Sequence, residues 1–338
     1  MSDPNTSAPD LATAQRLSIR RLLTADRTSA LLALITVLLV VGVFHPNFLA
    51  PGQLINVLQS AVYAALIAAG LVFLIPQNEI DLSVGGNYVL TGIVAALLMR
   101  AGMAPVLSTL LALSVSVLIG LLNALTSQVI GIPSLIGTPA MSWMLRGLAL
   151  ALSGGTQVTG VPLQDPLISM LGGGRVVGVP VSVVLLVVVG IVLSLVMHKT
   201  PFGYRIRQIG SNPDAAAFSG IPIKATRRLG FVVAALLAGV SGIVALAFFT
   251  MGDPQSGGGI ELFAVAGAVI GGTPLAGGKA TVFGAILSSI LLTAVAIGLV
   301  YFQIAATWAQ FATGAVILGD VSVDGLVQRQ KRLKGGRS

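Results

Sequence analysis

Cysteine is absent from all 338 residues. Disulfides, thiolate metal sites and cysteine nucleophiles are therefore excluded. Histidine is nearly absent. His45 and His198 flank different apolar runs, so no pair exists to hold a metal, and no metal site is expected. Charge is scarce as well: Asp, Glu, Lys and Arg make up 9% of the chain, against about 25% in soluble domains. The formal net charge of +8 is no nucleic-acid footprint, because no aromatic residues interleave with the basic ones at a spacing that would stack bases. Hydrolase constellations are missing: there is no HExxH, no GxSxG and no histidine near a Ser or Asp cluster. The stretch GGTPLAGGKA imitates a phosphate loop and fails as one. Thr273 stands where the first Gly belongs, and Ala280 follows Lys279 where Ser or Thr would bind magnesium. No catalytic residue and no cofactor are expected.

Apolar residues are abundant, at 55% of the chain, in runs that approach or exceed the length of about 20 residues needed to cross a bilayer. The fold class expected is all-α, a polytopic membrane protein of about ten transmembrane helices. The spans fall near 30–44, 54–75, a third ending at 99, 106–130, 135–152, 181–197, 230–250, 260–272, 282–300 and 304–318. Fifteen of the nineteen Lys and Arg residues lie before residue 28, in 199–228, or after residue 328. That bias places the N-terminus, the central loop and the C-terminus in the cytoplasm. Residues 1–29 read as a cytoplasmic tail with a short interfacial helix around Arg16, Arg20 and Arg21. Residues 30–320 form the transmembrane domain, and 321–338 a basic tail attracted to anionic membrane lipid. Parity supports the count. An even number of crossings must follow the central loop, so the 13-residue run 260–272 is a short crossing continued by its Gly-rich neighbour.

Spans two to five enter from outside and seven to ten from inside, as an inverted-topology repeat requires. Each set has a Gly-bearing break, QNEIDLSVGG in the first and GGTPLAGG in the second. Gly267 and Gly271 have the small-residue spacing of close helix contact; Gly272, Gly277 and Gly278 belong to the same break. Asp81 and Ser83 suit the cap of span three. Asp81, Ser83, Asn87, Asn123 and Ser142 are the polar residues placed on a translocation path, with interhelical bonding as the plainer reading of each. Glu79, Arg146 and Glu261 are further charges near or within the bilayer whose roles stay open at this level.

The central loop, TPFGYRIRQIGSNPDAAAFSGIPIKATRR, contains a short helix with marked ends. Asn212 suits its cap, Pro213 its first position and Asp214 its positive start, while Ala215 to Ala217 favour helix. Ser219 follows, and Gly220 with Ile221-Pro222 stops it. Seven residues make a rod of about 10 Å, too short to stand alone. It presents Phe218 and Ile221 beside Asp214, which fits reception in a partner's socket or, more plainly, a capped loop between two spans.

Several co-linear stretches resemble the ribose-type permeases of bacterial ATP-binding-cassette importers. EIDLSVGG (Glu79–Gly86) is similar to that family's GIDLSVG hallmark, and AVIGGTPLAGGKATVFGAI to its IGGTSLSGGRGTVWG segment. PNFLAPGQLINVLQ, PSLIGTPAMSWMLRGLALALSGG and the central loop are similar to further stretches, over most of residues 47–321. Where the family usually has Gly-Gly before Ile-Asp-Leu-Ser, Asn78 and Glu79 stand here. The resemblance implies two permease copies forming a pore, cytoplasmic ATPase subunits driving it, and an extracytoplasmic solute-binding protein delivering a monosaccharide across the bacterial inner membrane. It implies that Asp214, Ala215, Ala216, Ser219 and Gly220 belong to the helix that docks on the ATPase. Alternatives within the same machinery are a branched-chain amino acid or a furanose-like signal molecule. A carrier using Glu79 or Asp81 for protons is the alternative of another class.

Overall fold

The computed structural model describes residues 26–304 and, beyond them, 308, 311, 314, 315 and 318. The expected N-terminal tail up to residue 25, most of span ten and the basic C-terminal tail lie outside the described residues.

Twelve α-helices follow one another among the described residues: α1 Asp26–Phe44, α2 Pro51–Leu71, α3 Val84–Arg100, α4 Pro105–Leu125, α5 Ser134–Ser153, α6 Pro166–Gly172, α7 Val181–Lys199, α8 Pro201–Ser211, α9 Pro213–Phe218, α10 Ile223–Phe249, α11 Ile260–Ile270 and α12 Val282–Tyr301. The only strands described, β1 Arg175–Val176 and β2 Val179–Pro180, form a small antiparallel hairpin. Six helical segments are long and apolar enough to cross a membrane, and α1, α3 and α11 are shorter apolar helices.

Two long helices form the centre. α2 and α10 pack on each other and are mostly buried, whereas α4, α5 and α7 turn most of their surface outward. Close approach depends on small residues. Gly120 of α4 lies against Phe231, Val232 and Ala235 of α10, and Gly239 lies against Ser116 of α4. The exposed helices carry Leu118, Trp143, Met144, Val188 and Val192 on their outer faces, which suits a hydrocarbon solvent.

The segments assigned to one side of the membrane gather at one end. Gly278 N–H donates to the Pro76 carbonyl (3.1 Å), and Ile80 N–H donates to Ser134 Oγ (3.3 Å). A salt bridge of 3.2 Å joins Arg227 to Glu79. At the opposite end Val158 and Gly252 exchange backbone hydrogen bonds (2.8 and 2.9 Å), and Gly160 lies beside Arg100. The outer segment from Ser153 to Pro180, expected to be irregular, holds α6. Asp165 caps α6 by accepting from Leu167 N–H (2.9 Å), and α6 packs on α10.

Contacts repeat between the halves. α10 packs along α3 and α4 as α2 packs along α11 and α12, and α3 lies on α4 as α11 lies on α12. GGTPLAGG follows the run 260–272, as expected, but it is not the equivalent of QNEIDLSVGG. QNEIDLSVGG leads into α3, so its counterpart is the segment leading into α11, Gly252 to Gly259. GGTPLAGG joins α11 to α12 instead. The two entry segments share a device. Asp81 Oδ1 accepts from Ser83 N–H (2.8 Å), Asp253 Oδ1 accepts from Gln255 N–H (2.9 Å), and a Gly-Gly pair begins four residues after each Asp.

Candidate functional site

The loop expected between spans six and seven is two helices. α8 starts at Thr200, whose Oγ1 accepts from Gly203 N–H (3.4 Å), and it buries Ile206 and Ile209. The second, α9, is the short rod, with six helical residues followed by Ser219 and Gly220 as its end. Asn212 Oδ1 accepts from Ala215 N–H (3.0 Å), Pro213 opens the helix, and Asp214 lies in the first turn. Gly220 closes it at φ +74°, with Ile221 N–H donating to the Ala216 carbonyl (3.0 Å). Ala216 faces inward, while Phe218 is 94% exposed. An aromatic ring displayed on a six-residue rod has no packing role within the chain.

Both flanks of the rod grip the break after α2. On one side Gly210, at the end of α8, rests on the Pro76 carbonyl so closely that a side chain would collide with it. On the other, Arg227 Nη2 donates to the Gln77 carbonyl (3.2 Å) and Nη1 pairs with Glu79. Gly277 also meets Pro76, Asn78 and Gly210 here, and Gly272, Gly277 and Gly278 all adopt positive φ. Gly267 and Gly271 lie against Ser289 and Gly284 of α12, close contact of the kind their spacing predicts.

Beyond the 3-10 turn Ile75–Gln77 the break has no regular structure, so its backbone donors need other partners. Asn78 is left-handed at φ +59°. Beyond it, α5 supplies side-chain acceptors. Leu82 N–H donates to Thr138 Oγ1 (2.8 Å), just as Ile80 N–H donates to Ser134. Asp81 holds the Ser83 amide, and Asn123 Nδ2 from α4 donates to Ser83 Oγ (2.6 Å) and to the Asp81 carboxylate (3.3 Å). The expected cap of span three is thus only half right. The Asp81 carboxylate binds the turn, but the Ser83 side chain accepts from Asn123 and caps nothing.

Of the residues placed on a path from sequence, Asp81, Ser83 and Asn123 come together in this buried network. Asn87 lies apart, donating to the Ala235 carbonyl (3.0 Å) and accepting from Thr91 (3.0 Å). Ser142 is buried with its hydroxyl unpartnered, and its carbonyl lies close to Gly86.

Arg146 and Glu261, left open by sequence, are partners at 3.0 Å. Arg146 also donates to the carbonyls of Gly257 (2.9 Å) and Ser256 (3.3 Å). Gly85, second residue of α3, and Glu261, second residue of α11, lie against each other, so the entry turns of both short helices meet at this pair. Pairing answers the cost of an isolated intramembrane charge, about 2.5–3.5 kcal/mol on insertion scales.

Comparison with known proteins agrees with this architecture. The family described as "Branched-chain amino acid transport system / permease component" matches residues 53–319. The ribose import permease protein RbsC of Bacillus subtilis (strain 168) is 31% identical over 87% of this chain and 91% of its own length. The ribose import permease of Escherichia coli (strain K12) is 31% identical over 92% of this chain and 98% of its own. The autoinducer 2 import system permease protein LsrC of Enterobacter sp. (strain 638) is 30% identical over 94% of both chains. No solved structure matches. With its apolar helices and these matches across most of its length, the chain belongs to this family of import permeases, as a multi-pass membrane transport subunit rather than an enzyme.

Proposed function

We propose that the chain is the membrane subunit of an ATP-driven importer in the bacterial inner membrane, carrying a small hydroxylated solute, a monosaccharide of the ribose type, into the cytoplasm. The carrying observation is the rod α9. It is capped at both ends and displays Phe218, and its two flanks hold the Pro76–Glu79 break. A cytoplasmic ATPase docks on Asn212 to Ile221. Its movement reaches the spans through Gly210 on one side and Arg227 on the other. A solute-binding protein delivers cargo at the opposite end, and a second permease copy completes the passage.

The ten-span arrangement, with both termini and the rod in the cytoplasm, is supported by the basic-residue bias and by the gathering of 76–83, 131–134, 199–228 and 272–281 at one end. The exchange of contacts between α2–α4 and α10–α12, with the shared Asp and Gly-Gly device, supports an inverted repeat. Asp81, Ser83, Asn87, Asn123 and Ser142 are the polar residues placed along the passage; the first four fasten span three, and the Ser142 hydroxyl has no protein partner among the described residues. Relatives named for autoinducer 2 import favour a furanose-like signal molecule as the second reading of the solute. The pairing of Glu79 with Arg227 and the bonds on Asp81 speak against a proton-coupled carrier.

Replacing Ala216 with Arg, or Gly220 with Asp, is expected to leave membrane insertion intact while abolishing uptake and ATPase association. Normal ATP-dependent uptake by both variants refutes the docking role.

A further inference from the structure

We propose that the polar cleft beside the rod is a solute-binding site at the inner end of the passage, built for a small polyol. The cavity is about 490 Å³, large enough for a monosaccharide. Its lining includes Asn78 and Glu79 from the break, Ser127 and Gln128 from the end of α4, Ser134 from α5 and Arg227 from α10.

Three independent features mark it as a built site. Residues Thr126–Ile130 form a π-helical turn, a costly deviation that concentrates at functional positions, and it sets Ser127 and Gln128 on the cavity wall. Asn78 is held left-handed directly before Glu79. Both side-chain polar atoms of Gln128 are buried without a hydrogen-bond partner, as is Arg227 Nε on the facing wall. Buried orphan donors and acceptors are rare in folded proteins. Here the two residues that carry them line one cavity.

The charges define the class of ligand. Glu79 and Arg227 are paired at 3.2 Å, and Lys224 lines the same cavity, so the wall offers one carboxylate acceptor and two cationic donors. Adjacent hydroxyls of a sugar present both complements. A cationic solute meets repulsion from Arg227 and Lys224. Glu79 occupies a place where the resembled family usually has Gly, so this chain supplies its own carboxylate there. Arg227 stands nine residues after the end of α9 and bonds the Gln77 carbonyl. Displacement of the rod therefore opens or closes the wall of the site itself.

The inference rests on the importer reading above, and one experiment separates the two. Because the chain lacks cysteine, a single Leu135→Cys on the cavity rim reports on occupancy, and Arg205→Cys on exposed α8 serves as a control. Inverted membrane vesicles carrying the full importer are labelled with a membrane-impermeant thiol reagent. Millimolar D-ribose, D-xylose or D-galactose is expected to slow labelling at residue 135 and not at 205. Glu79→Gln and Gln128→Leu are expected to raise the protecting concentration by about ten-fold, as losing one hydrogen bond at a charged or buried group predicts. Unchanged labelling at 135 with every neutral sugar, or unchanged protection in both variants, overturns the site. If unchanged labelling accompanies normal ATP-dependent sugar uptake in intact cells, only the site falls. If uptake is absent as well, the solute class proposed above falls with it.

Discussion

The segments entering α3 and α11 carry the same local device in different surroundings. Asp81 and Asp253 each accept from the amide two residues on, and each precedes a Gly-Gly pair. Around Asp81 the neighbours are side chains: Asn123, Ser134 and Thr138 satisfy the carboxylate and the backbone. Around Asp253 the segment is half-exposed, and the fastening comes from Arg146, which reaches from α5 to the carbonyls of Ser256 and Gly257. One break is locked by a buried network of side chains, the other by one long cation. The comparison teaches that a helix start inside a membrane can be stabilised by either means. The cationic version is the easier to undo, because it rests on one flexible side chain.

Substitutions can break this contrast, and the largest effect belongs to the point where the breaks meet. Gly85→Leu drives a side chain into the Glu261 carboxylate and the Arg146 guanidinium. Overpacking of this severity exceeds the usual 1–3 kcal/mol, and the expected outcome is loss of a monodisperse peak on size-exclusion chromatography in detergent. Asp81→Ala removes the acceptor of the buried Ser83 amide and one of the two partners of Asn123 Nδ2, for a cost of about 3 kcal/mol, read as a lowered midpoint of thermal unfolding in detergent. Glu261→Gln leaves Arg146 with carbonyl acceptors alone and is expected to cost about 1–2 kcal/mol. The double exchange Arg146→Glu with Glu261→Arg should recover part of that loss if the pair is a tie between helices. Asp253→Ala is the smallest change, about 1 kcal/mol, because the loop is half-exposed and its released amide reaches solvent. Equal losses for Asp81→Ala and Asp253→Ala would erase the distinction between the two breaks.

Much of the architecture was legible in the chain. Runs of apolar residues near 20 long have few physical outcomes, and Pro, Asn and Gly in α9 act through backbone geometry that neighbours cannot easily override. The rod between Asn212 and Gly220 was therefore readable residue by residue. α8 was missed because its polar residues read as loop. Arg205, Arg207 and Gln208 are the outer side of an amphipathic helix whose other face buries Gly203, Ile206, Ile209 and Gly210. The counterpart of the first break was misplaced because GGTPLAGG is richer in glycine, whereas equivalence depends on which helix a segment enters.

By itself the sequence determined the class of solvent, the helix-rich chain, the absence of catalytic and nucleotide chemistry and the position of the rod. Each of these depends on local composition, on backbone conformation or on the cost of burying charge. Tertiary structure alone decided the partners of Glu79, Arg146 and Glu261 and the convergence of Gln128 and Arg227 on one cavity. Those pairings join residues more than a hundred positions apart, or walls contributed by separate helices. Only the packing of α2 against α10, and of their neighbours around them, brings such groups within bonding distance.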